Sequence, residues 1–342
     1  METATNPAAG YDHVGHNALT TATDPLNADF GRLRAWLNGC VLGQAELVDR
    51  LLVALLSDGH LLVEGAPGLA KTTAIKALAG AIEGSEKRVQ FTPDLLPADV
   101  TGTDVFRPET GSFDFVPGPI LNNIVLADEI NRAPAKVQSA LLEAMAERHV
   151  TVGCTTHSLP DLFLVMATQN PVEQQGTYPL PEAQLDRFLL HVRIGYPDAQ
   201  SERRVLELVR SSASGVSAAS FFPIAQSRIL EARAAVLDVH LSPALEEYLL
   251  QLVFATRNPS LYGDDLDGWV EWGASPRATI ALDRCSRAMA WLEGRDHVVP
   301  DDIVRLAPDI LRHRIVLTYE AEAEGMSADD LVAAILSRVP LP

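Results

Sequence analysis

The sequence predicts an α/β protein: a three-layer domain built on a parallel sheet, followed by a smaller all-helical domain. Short apolar runs alternate with helical stretches up to about residue 195, which is typical of strands covered on both faces. A Gly-rich turn joins the first apolar run to a helix, as at the start of a βαβ unit. Beyond residue 200 the strand signals nearly stop. The runs that we interpret as strands are 60–63, 88–91, 123–126, 162–166 and 191–194.

The chain divides into three parts by composition and periodicity. Residues 1–28 are rich in Ala, Thr, Asn, Pro and Gly without periodicity, and we expect a flexible tail. We assign 29–198 to the α/β core and 199–342 to the helical domain, with a Ser/Ala/Gly linker at 211–220. Helical periodicity and capping residues predict helices at 30–56 with a break at 41–44, 72–82, 135–147, 201–210, 227–238, 242–256, 276–293, 300–311 and 328–339.

The charge balance limits the partners of the protein. The 342 residues include 27 Lys and Arg against 45 Asp and Glu, for a formal net charge of −18. A field of that sign repels phosphate backbones and anionic lipid heads, so we expect neither nucleic acid nor a membrane surface as a main partner. No apolar run approaches the roughly 20 residues that span a bilayer. A secretory signal begins with positively charged residues, but no Lys or Arg precedes Arg32. We therefore expect a cytoplasmic protein.

The strongest motif is a phosphate-binding loop between the first predicted strand and its helix. Its residues are Gly65, Ala66, Pro67, Gly68, Leu69, Ala70, Lys71 and Thr72. They match G-x-x-x-x-G-K-[ST] at each fixed position but one, since Ala70 replaces the last Gly. Lys71 would neutralise β- and γ-phosphate oxygens, and the Thr72 hydroxyl would ligate Mg²⁺. We expect right-handed geometry at Ala70, which would make that substitution tolerable. Together with Thr73, these residues form the predicted nucleotide-binding set.

Polar residues at the ends of two later strands would complete a hydrolytic site. Asp128 and Glu129 follow an apolar strand; Asp128 would hold Mg²⁺, and Glu129 would orient and deprotonate the attacking water. The alternative is an acidic pair that faces solvent. Asn170 follows the next strand and could hold the water against the γ-phosphate, although Asn-Pro is also a common turn.

Two arginines are candidates for recognition of the γ-phosphate, because Arg pairs bidentately with phosphate. Arg187 precedes the last predicted strand within Leu-Asp-Arg-Phe, and Arg277 opens a helix within Ser-Pro-Arg. Taken alone, each is more commonly a surface residue. The ordered set of loop, Asp-Glu, Asn and two arginines is far more specific than any of its members.

This ordered set is the signature of AAA+ ATPases, and the chain resembles the MoxR family among them over about residues 30–340. The resemblance rests on the segments 65–72, 90–97 (QFTPDLLP), 128–134 (DEINRAP) and 273–278 (GASPRA). It implies that Asn170 is sensor 1, that Arg187 is an arginine finger for a neighbouring subunit's nucleotide, and that Arg277 is sensor 2. It further implies that the adenine pocket is lined by Val41, Leu42, Gly43 and Gln44.

The resemblance also implies a ring, commonly a hexamer, that binds ATP and Mg²⁺ and acts with a von Willebrand A-domain protein as client or adaptor. Such pairs act like chaperones that mature other proteins or help metal cofactors into enzymes. Two other classes share much of the site: a nucleic-acid motor or chelatase-type enzyme, and a nucleotide-binding scaffold without activity. The charge of −18 disfavours a DNA motor, and pure binding does not require Glu129.

Two segments are predicted to form β-hairpins. Residues 106–119 alternate around a Gly turn, and residues 148–159 offer a second hairpin before the strand that ends near Asn170. Both resemble hairpins that face the central pore in related ATPases, where Phe113 and Phe115 would touch substrate. The sequence leaves open the alternative that these aromatic side chains pack the hairpin onto its own domain.

Overall fold

A five-stranded parallel sheet forms the centre of the computed structural model, which describes residues 24–171, 176–213, 221–266 and 268–342. The strands of the described chain, in order, are β1 (Leu61–Glu64), β2 (Glu86–Gln90), β3 (Gly102–Arg107), β4 (Ser112–Pro117), β5 (Ile124–Asp128), β6 (His149–Val152), β7 (Thr155–Ser158), β8 (Leu164–Gln169), β9 (Leu190–Arg193), β10 (Val270–Trp272) and β11 (Val316–Leu317). The central sheet has the order β2-β5-β8-β1-β9.

The strand register brings the predicted functional segments to one edge of this sheet. In the parallel pairing of β1 with β8, Glu64 lies opposite Gln169, and Ala127 of β5 lies opposite Ala167 of β8. The segments that leave the carboxyl ends of β1, β5 and β8 are therefore neighbours, although they are far apart in the chain. The amino ends of the same strands lie at the opposite edge.

Helices cover the sheet and continue into the second domain. They are α1 (Pro25–Cys40), α2 (Ala45–Leu56), α3 (Lys71–Gly80), α4 (Pro97–Thr101), α5 (Ala135–Glu147), α6 (Glu182–Leu185), α7 (Ala199–Ala213), α8 (Gln226–Leu237), α9 (Pro243–Arg257), α10 (Pro276–Leu292), α11 (Pro300–Leu311), α12 (Tyr319–Ala323) and α13 (Ala328–Arg338). Several begin where the sequence supplies a cap: Ser242 and Ser275 each accept a backbone hydrogen bond before a proline at the first helical position, and Ser327 forms a capping box with Asp330.

The core follows the alternation of side chains along the strands. Leu61 and Val63 of β1 belong to one hydrophobic cluster, whereas Leu62, which points to the other face, belongs to a second cluster with α5. The first cluster includes α1, α2 and α3 and continues into α9, α10 and α11. The α/β part and the helical part are therefore joined by continuous apolar packing.

The predicted fold class, an α/β sheet domain followed by a helical domain, is confirmed, with local corrections. Helix α1 begins at Pro25, so residues 25–28 are helical rather than tail, and Asp24 caps the helix. Residues 1–23 of the tail prediction lie outside the described chain. The second domain is not entirely helical, because β10 and β11 pair antiparallel. Helix α7 extends into the predicted linker as far as Ala213, and residues 214–220 lie outside the described chain.

Both predicted hairpins are present, and the two phenylalanines of the first differ in environment. Strand β3 pairs with β4, and β6 pairs with β7. The Phe115 ring stacks on His157 of the second hairpin with centroids 3.7 Å apart, so it packs one hairpin on the other. Phe113 is 68% exposed and contacts Phe106, which is also exposed, across the strand pair at 5.2 Å. The first hairpin thus presents an aromatic pair to solvent.

A chain of charged side chains links the end of β1 to the helical domain. The Glu64 carboxylate accepts hydrogen bonds from His191 at 2.9 Å and Arg193 at 3.2 Å. Arg193 also bonds Asp329 in the first turn of α13 at 2.8 Å, and Asp329 in turn accepts from Arg312 at 2.8 Å. The hydrogen bond from His191, together with Arg193, lowers the pKa of Glu64 to about 2, although burial alone would raise it.

We expect replacement of Glu64 by Gln to lower the free energy of unfolding by about 1.5–3 kcal/mol at neutral pH, the range for hydrogen bonds to a charged group. Because the folded pKa of Glu64 is depressed, its contribution is complete above about pH 4.5, the ordinary value, and is lost as the pH falls towards about 2. Denaturant unfolding at about pH 7 and about pH 3 checks this.

The control is Glu143→Gln on the exposed face of α5, where the carboxylate makes no ion pair with any described residue. It should change stability little at either pH. A destabilisation by Glu64→Gln that is equal at both pH values would show that the ionised carboxylate contributes nothing.

Candidate functional site

The predicted phosphate-binding loop is the turn that joins β1 to α3. Gly65 is buried directly after Glu64, and a side chain there would collide with Ile194, whose Cγ1 lies 2.5 Å from the position of a Cβ. Gly68 has a φ of +85°, which glycine adopts readily, and its surroundings are open. Leu69 is buried and fixes the end of the loop, while Ala66, Pro67 and Gly68 are partly or fully exposed.

Ala70 departs from the predicted geometry. It caps the start of α3 with φ 60° and ψ 16°, in the left-handed region rather than the right-handed one. The expectation of right-handed geometry was therefore wrong. The loop requires a left-handed residue at this position whatever its side chain, which explains why the pattern usually has Gly here. For an L-residue with a Cβ this conformation costs roughly 1–2 kcal/mol.

Lys71 lies at the junction of the loop with β8. Its Nζ donates to the carbonyl of Gly65 at 2.5 Å and to the carbonyl of Gln169 at 3.3 Å. Desolvation lowers the pKa of Lys71, and the nearby charges of Asp128 and Glu129 oppose that shift. The ammonium group is thus held inside the loop within electrostatic reach of both acidic residues.

Asp128 and Glu129 occupy the carboxyl end of β5 in two different environments. Asp128 is buried; its Oδ1 accepts from the hydroxyl of Thr168 at 2.6 Å, and its Oδ2 accepts from Arg88 at 2.7 Å. Glu129 has a φ of 58°, in the left-handed region, and its N–H donates to the Thr168 hydroxyl at 2.9 Å. The pair is therefore not an ordinary solvent-facing strand end, because Thr168 fixes both residues and the backbone of Glu129 is strained.

The carboxylate of Glu129 is oriented by residues that the sequence analysis did not assign. Its Oε2 accepts from Gln90 at 2.7 Å and from Arg132 at 3.0 Å. Gln90 lies opposite Asp128 in the β2–β5 register, and Arg88 precedes it by two residues on the same side of β2. The alternation of Arg88 and Gln90 at the end of a predicted strand could have identified both as residues of the site.

The donor set at this edge fits Mg²⁺. The candidate ligands, Thr72 and Asp128, offer a hydroxyl and a carboxylate, and Mg²⁺ prefers such oxygens while keeping several of its waters. Thr72 is half-buried in the first turn of α3 and Asp128 ends β5. Asn170, also buried, follows β8 directly after Gln169, the residue whose carbonyl accepts from Lys71.

The predicted adenine-pocket residues lie beside the same loop. Val41 is buried, and the Gln44 side chain donates to the carbonyl of Gly195 at 3.0 Å. Gly43 has a φ of +77°, and a Cβ there would come within 2.8 Å of Pro197 and Ser201. Because Gly65 packs on Ile194, the segment after β9 contacts both the break between α1 and α2 and the phosphate-binding loop.

Arg187 lies at the opposite edge of the sheet. It precedes β9, and the next residues run beside the start of β1, where the N–H of Leu189 donates to the carbonyl of His60 at 2.8 Å. The four residues of β1 separate His60 at this edge from Gly65 at the other, a distance of about 13 Å along a strand. The guanidinium of Arg187 donates to the carbonyl of Leu142 at 2.7 Å.

Arg277 shares that edge with Arg187. The two side chains line one cleft of about 300 Å³ between the start of β1 and α10. Asp186, which precedes Arg187 in the chain, connects the two. Its carboxylate accepts a hydrogen bond from the Ser275 hydroxyl at 3.0 Å and lies 4.0 Å from the Arg277 Nε. It also pairs with buried Arg314 at 2.9 Å. The structure thus brings together the loop, Asp128, Glu129 and Asn170 at one edge, and the two arginines at the other.

Several known proteins are similar to this chain in sequence and fold. A family profile described as "ATPase family associated with various cellular activities (AAA)" matches residues 60–190, and one described as "AAA lid domain" matches residues 268–335. "Chaperone MoxR1" of Mycobacterium tuberculosis is 48% identical over 88% of this chain and 79% of its own. "Protein MoxR" of Paracoccus denitrificans is 36% identical over 92% of this chain and 97% of its own. A solved structure from Cytophaga hutchinsonii, described as a candidate ATPase, superposes with a TM-score of 0.85 at 45% identity, covering 93% of this chain and 96% of its own.

The left-handed backbone at Ala70 generates a stability prediction. We expect Ala70→Gly to leave the free energy of unfolding unchanged or to raise it by up to about 1 kcal/mol, because glycine adopts this backbone without steric cost. The matched control is Ala77→Gly in the middle of α3, which should lower it by about 1 kcal/mol. Denaturant unfolding measures both free energies. If Ala70→Gly lost as much stability as the control, the backbone at Ala70 would not be strained.

Proposed function

Because this chain belongs to the MoxR family of AAA+ ATPases, which hydrolyse ATP, we propose that it works as a ring in which each subunit completes its neighbour's nucleotide site. The observation that carries this proposal is the position of Arg187 and Arg277, which lie at the sheet edge opposite their own phosphate-binding loop. In the ring, commonly a hexamer, hydrolysis drives the remodelling or maturation of client proteins.

The nucleotide binds to the phosphate-binding loop and to the segments that lie beside it. Backbone N–H groups of residues 65–73 at the start of α3 bind the phosphates, and the ammonium of Lys71 exchanges its carbonyl contacts for phosphate oxygens. The break at Val41–Gln44, together with Gly195, encloses the adenine. Thr72 and Asp128 hold Mg²⁺, which neutralises phosphate charge when bound.

Hydrolysis needs a base and a group that positions water. Among the described residues, Gln90 and Arg132 both donate to Oε2 of the Glu129 carboxylate, and Oε1 accepts the proton of the attacking water. Asn170, at the end of the adjacent strand β8, holds that water against the γ-phosphate. Gln90 and Arg132 keep the carboxylate aimed, so they act as positioning residues.

Separation within the subunit supports the proposal that the arginines act on a neighbour's nucleotide. About 13 Å of strand lies between Gly65 and His60, beside which the segment after Arg187 runs, and the Leu142 carbonyl holds the Arg187 guanidinium at that far edge. Asp186 and the Ser275 cap hold Arg277 at the same edge. Both guanidinium groups are available to a nucleotide presented by an adjacent subunit, where an arginine finger stabilises transition-state charge.

The exposed aromatic pair of the first hairpin supplies a client contact. Phe106 and Phe113 form an apolar patch at the tip, whereas Phe115 is committed to packing on His157. A von Willebrand A-domain protein is the proposed adaptor or client, and insertion of a metal cofactor is one form that maturation could take. The net charge of −18 disfavours the alternative of a nucleic-acid motor.

A mixed-ring assay tests the proposed shared site. Arg187→Ala should bind ATP almost normally and hydrolyse it at least about 10³-fold more slowly, the usual effect of an arginine finger. Lys71→Ala should lose ATP binding, because it removes the main cation of the loop. Mixing the two inactive variants should restore turnover, since an intact loop from the first can receive the intact finger of the second.

Each variant mixed with itself is the control, and native mass spectrometry establishes that the mixed assemblies form. Mixed rings that remain inactive would place Arg187 in a role within its own subunit and would remove the main support for the shared site.

A further inference from the structure

We propose that Arg284 is a third arginine that each subunit contributes to its neighbour's nucleotide, where its guanidinium binds phosphate oxygens. This inference rests on the proposed shared site and adds a residue to it. The motif that identified Arg277 ends at the start of α10, and Arg284 lies two turns further along the same helix.

The spacing along α10 places Arg284 on the surface that carries Arg277. Residues 277, 280 and 284 are three and seven positions apart, so they share one helix face. Arg277, Ile280 and Arg284 all line the cleft that contains Arg187, and Ile280 is 53% exposed although it is apolar. This face of α10 therefore lines the candidate shared site, with an exposed apolar side chain between its two arginines.

The charges in the cleft distinguish Arg284 from the other arginines there. Arg148 pairs with Asp58 at 2.5 Å, and Arg314 pairs with Asp186 at 2.9 Å. The exposed guanidinium of Arg284 makes no ion pair or hydrogen bond with any residue in the described part of the chain. Its charge therefore has no direct ion-pair partner among the described residues, in a cleft that four other arginines also line.

The backbone at Arg284 is anchored to the core. Its carbonyl accepts a hydrogen bond from the hydroxyl of Ser57, just before β1, at 3.3 Å. The side chain thus starts from a fixed point relative to the edge where Arg187 lies. The helix rises about 10 Å from residue 277 to residue 284. Two arginine side chains are long enough to span this distance and contact the same polyphosphate.

An anion of high charge is the ligand that fits this group of arginines. Arg binds phosphate through paired, charge-assisted hydrogen bonds. In the proposed ring, the neighbouring subunit delivers ATP to this edge, so the ligand is the nucleotide already bound there. Arg284 then acts on the same reaction as Arg187 and Arg277.

The test compares Arg284→Ala with Arg284→Lys and with Arg287→Ala. Loss of a charge-assisted contact should reduce kcat/KM for ATP by roughly 10-fold or more in the Ala variant, and Lys should restore part of the loss. Arg287, on the same helix, is the matched control, because its guanidinium is held within the subunit by Asp283 and by the carbonyl of Val239. Thermal unfolding of all three variants reports whether the fold is kept.

Mixing with Lys71→Ala subunits identifies where Arg284 acts. If Arg284 acts in the neighbour's site, mixing Arg284→Ala with Lys71→Ala subunits should restore turnover, as is expected for Arg187→Ala. Any defect of Arg287→Ala should remain after mixing. Full kcat/KM in folded Arg284→Ala would overturn the proposal, and so would a defect that mixing does not relieve. If Arg187→Ala recovers turnover in the same assay, both of these results would overturn only the role of Arg284, and the proposed shared site would stand. If Arg187→Ala also fails to recover, the proposed function itself is contradicted.

Discussion

The direction of the parallel strands is the constraint on which the rest of this structure depends. Strand β1 lies between β8 and β9, with Leu61 opposite both Met166 and Leu190. The segment after β8 therefore lies between the segments after β5 and β1, and the segment before β9 lies beside the one before β1. The loop and the carboxylates meet at one edge for this reason, and Arg187 is held at the other.

Hydrogen bonds then fix each group where the sheet has placed it. Thr168 bonds both Asp128 and the backbone of Glu129, so one hydroxyl on β8 aligns the two candidate site residues at the end of β5. From the other side of the loop, Glu64 is connected through Arg193 and Asp329 to the helical domain. The residue that precedes the phosphate-binding loop is therefore connected by ion pairs to the first turn of α13.

Much of this arrangement could be predicted from local sequence, because strands, caps and the Gly-rich loop depend on neighbours in the chain. The same does not hold for Arg88, whose bond to Asp128 exists only because β2 pairs with β5. Ala70 shows a different limit: its side chain indicates ordinary geometry, but the loop closure imposes a left-handed backbone. The separate environments of Phe113 and Phe115 depended on a second hairpin, which alternation along the first does not reveal.

The most direct test of the shared site is a structure of the assembled Glu129→Gln variant with ATP and Mg²⁺. This variant should retain the nucleotide, because it loses the general base, which usually contributes about 10²-fold or more to the rate, while keeping the shape of the site. We predict that the Arg187 guanidinium lies within about 3 Å of the γ-phosphate that the adjacent subunit's Lys71 binds. An assembly in which every phosphate contact comes from one subunit, with Arg187 still bonded to the Leu142 carbonyl, would contradict the account.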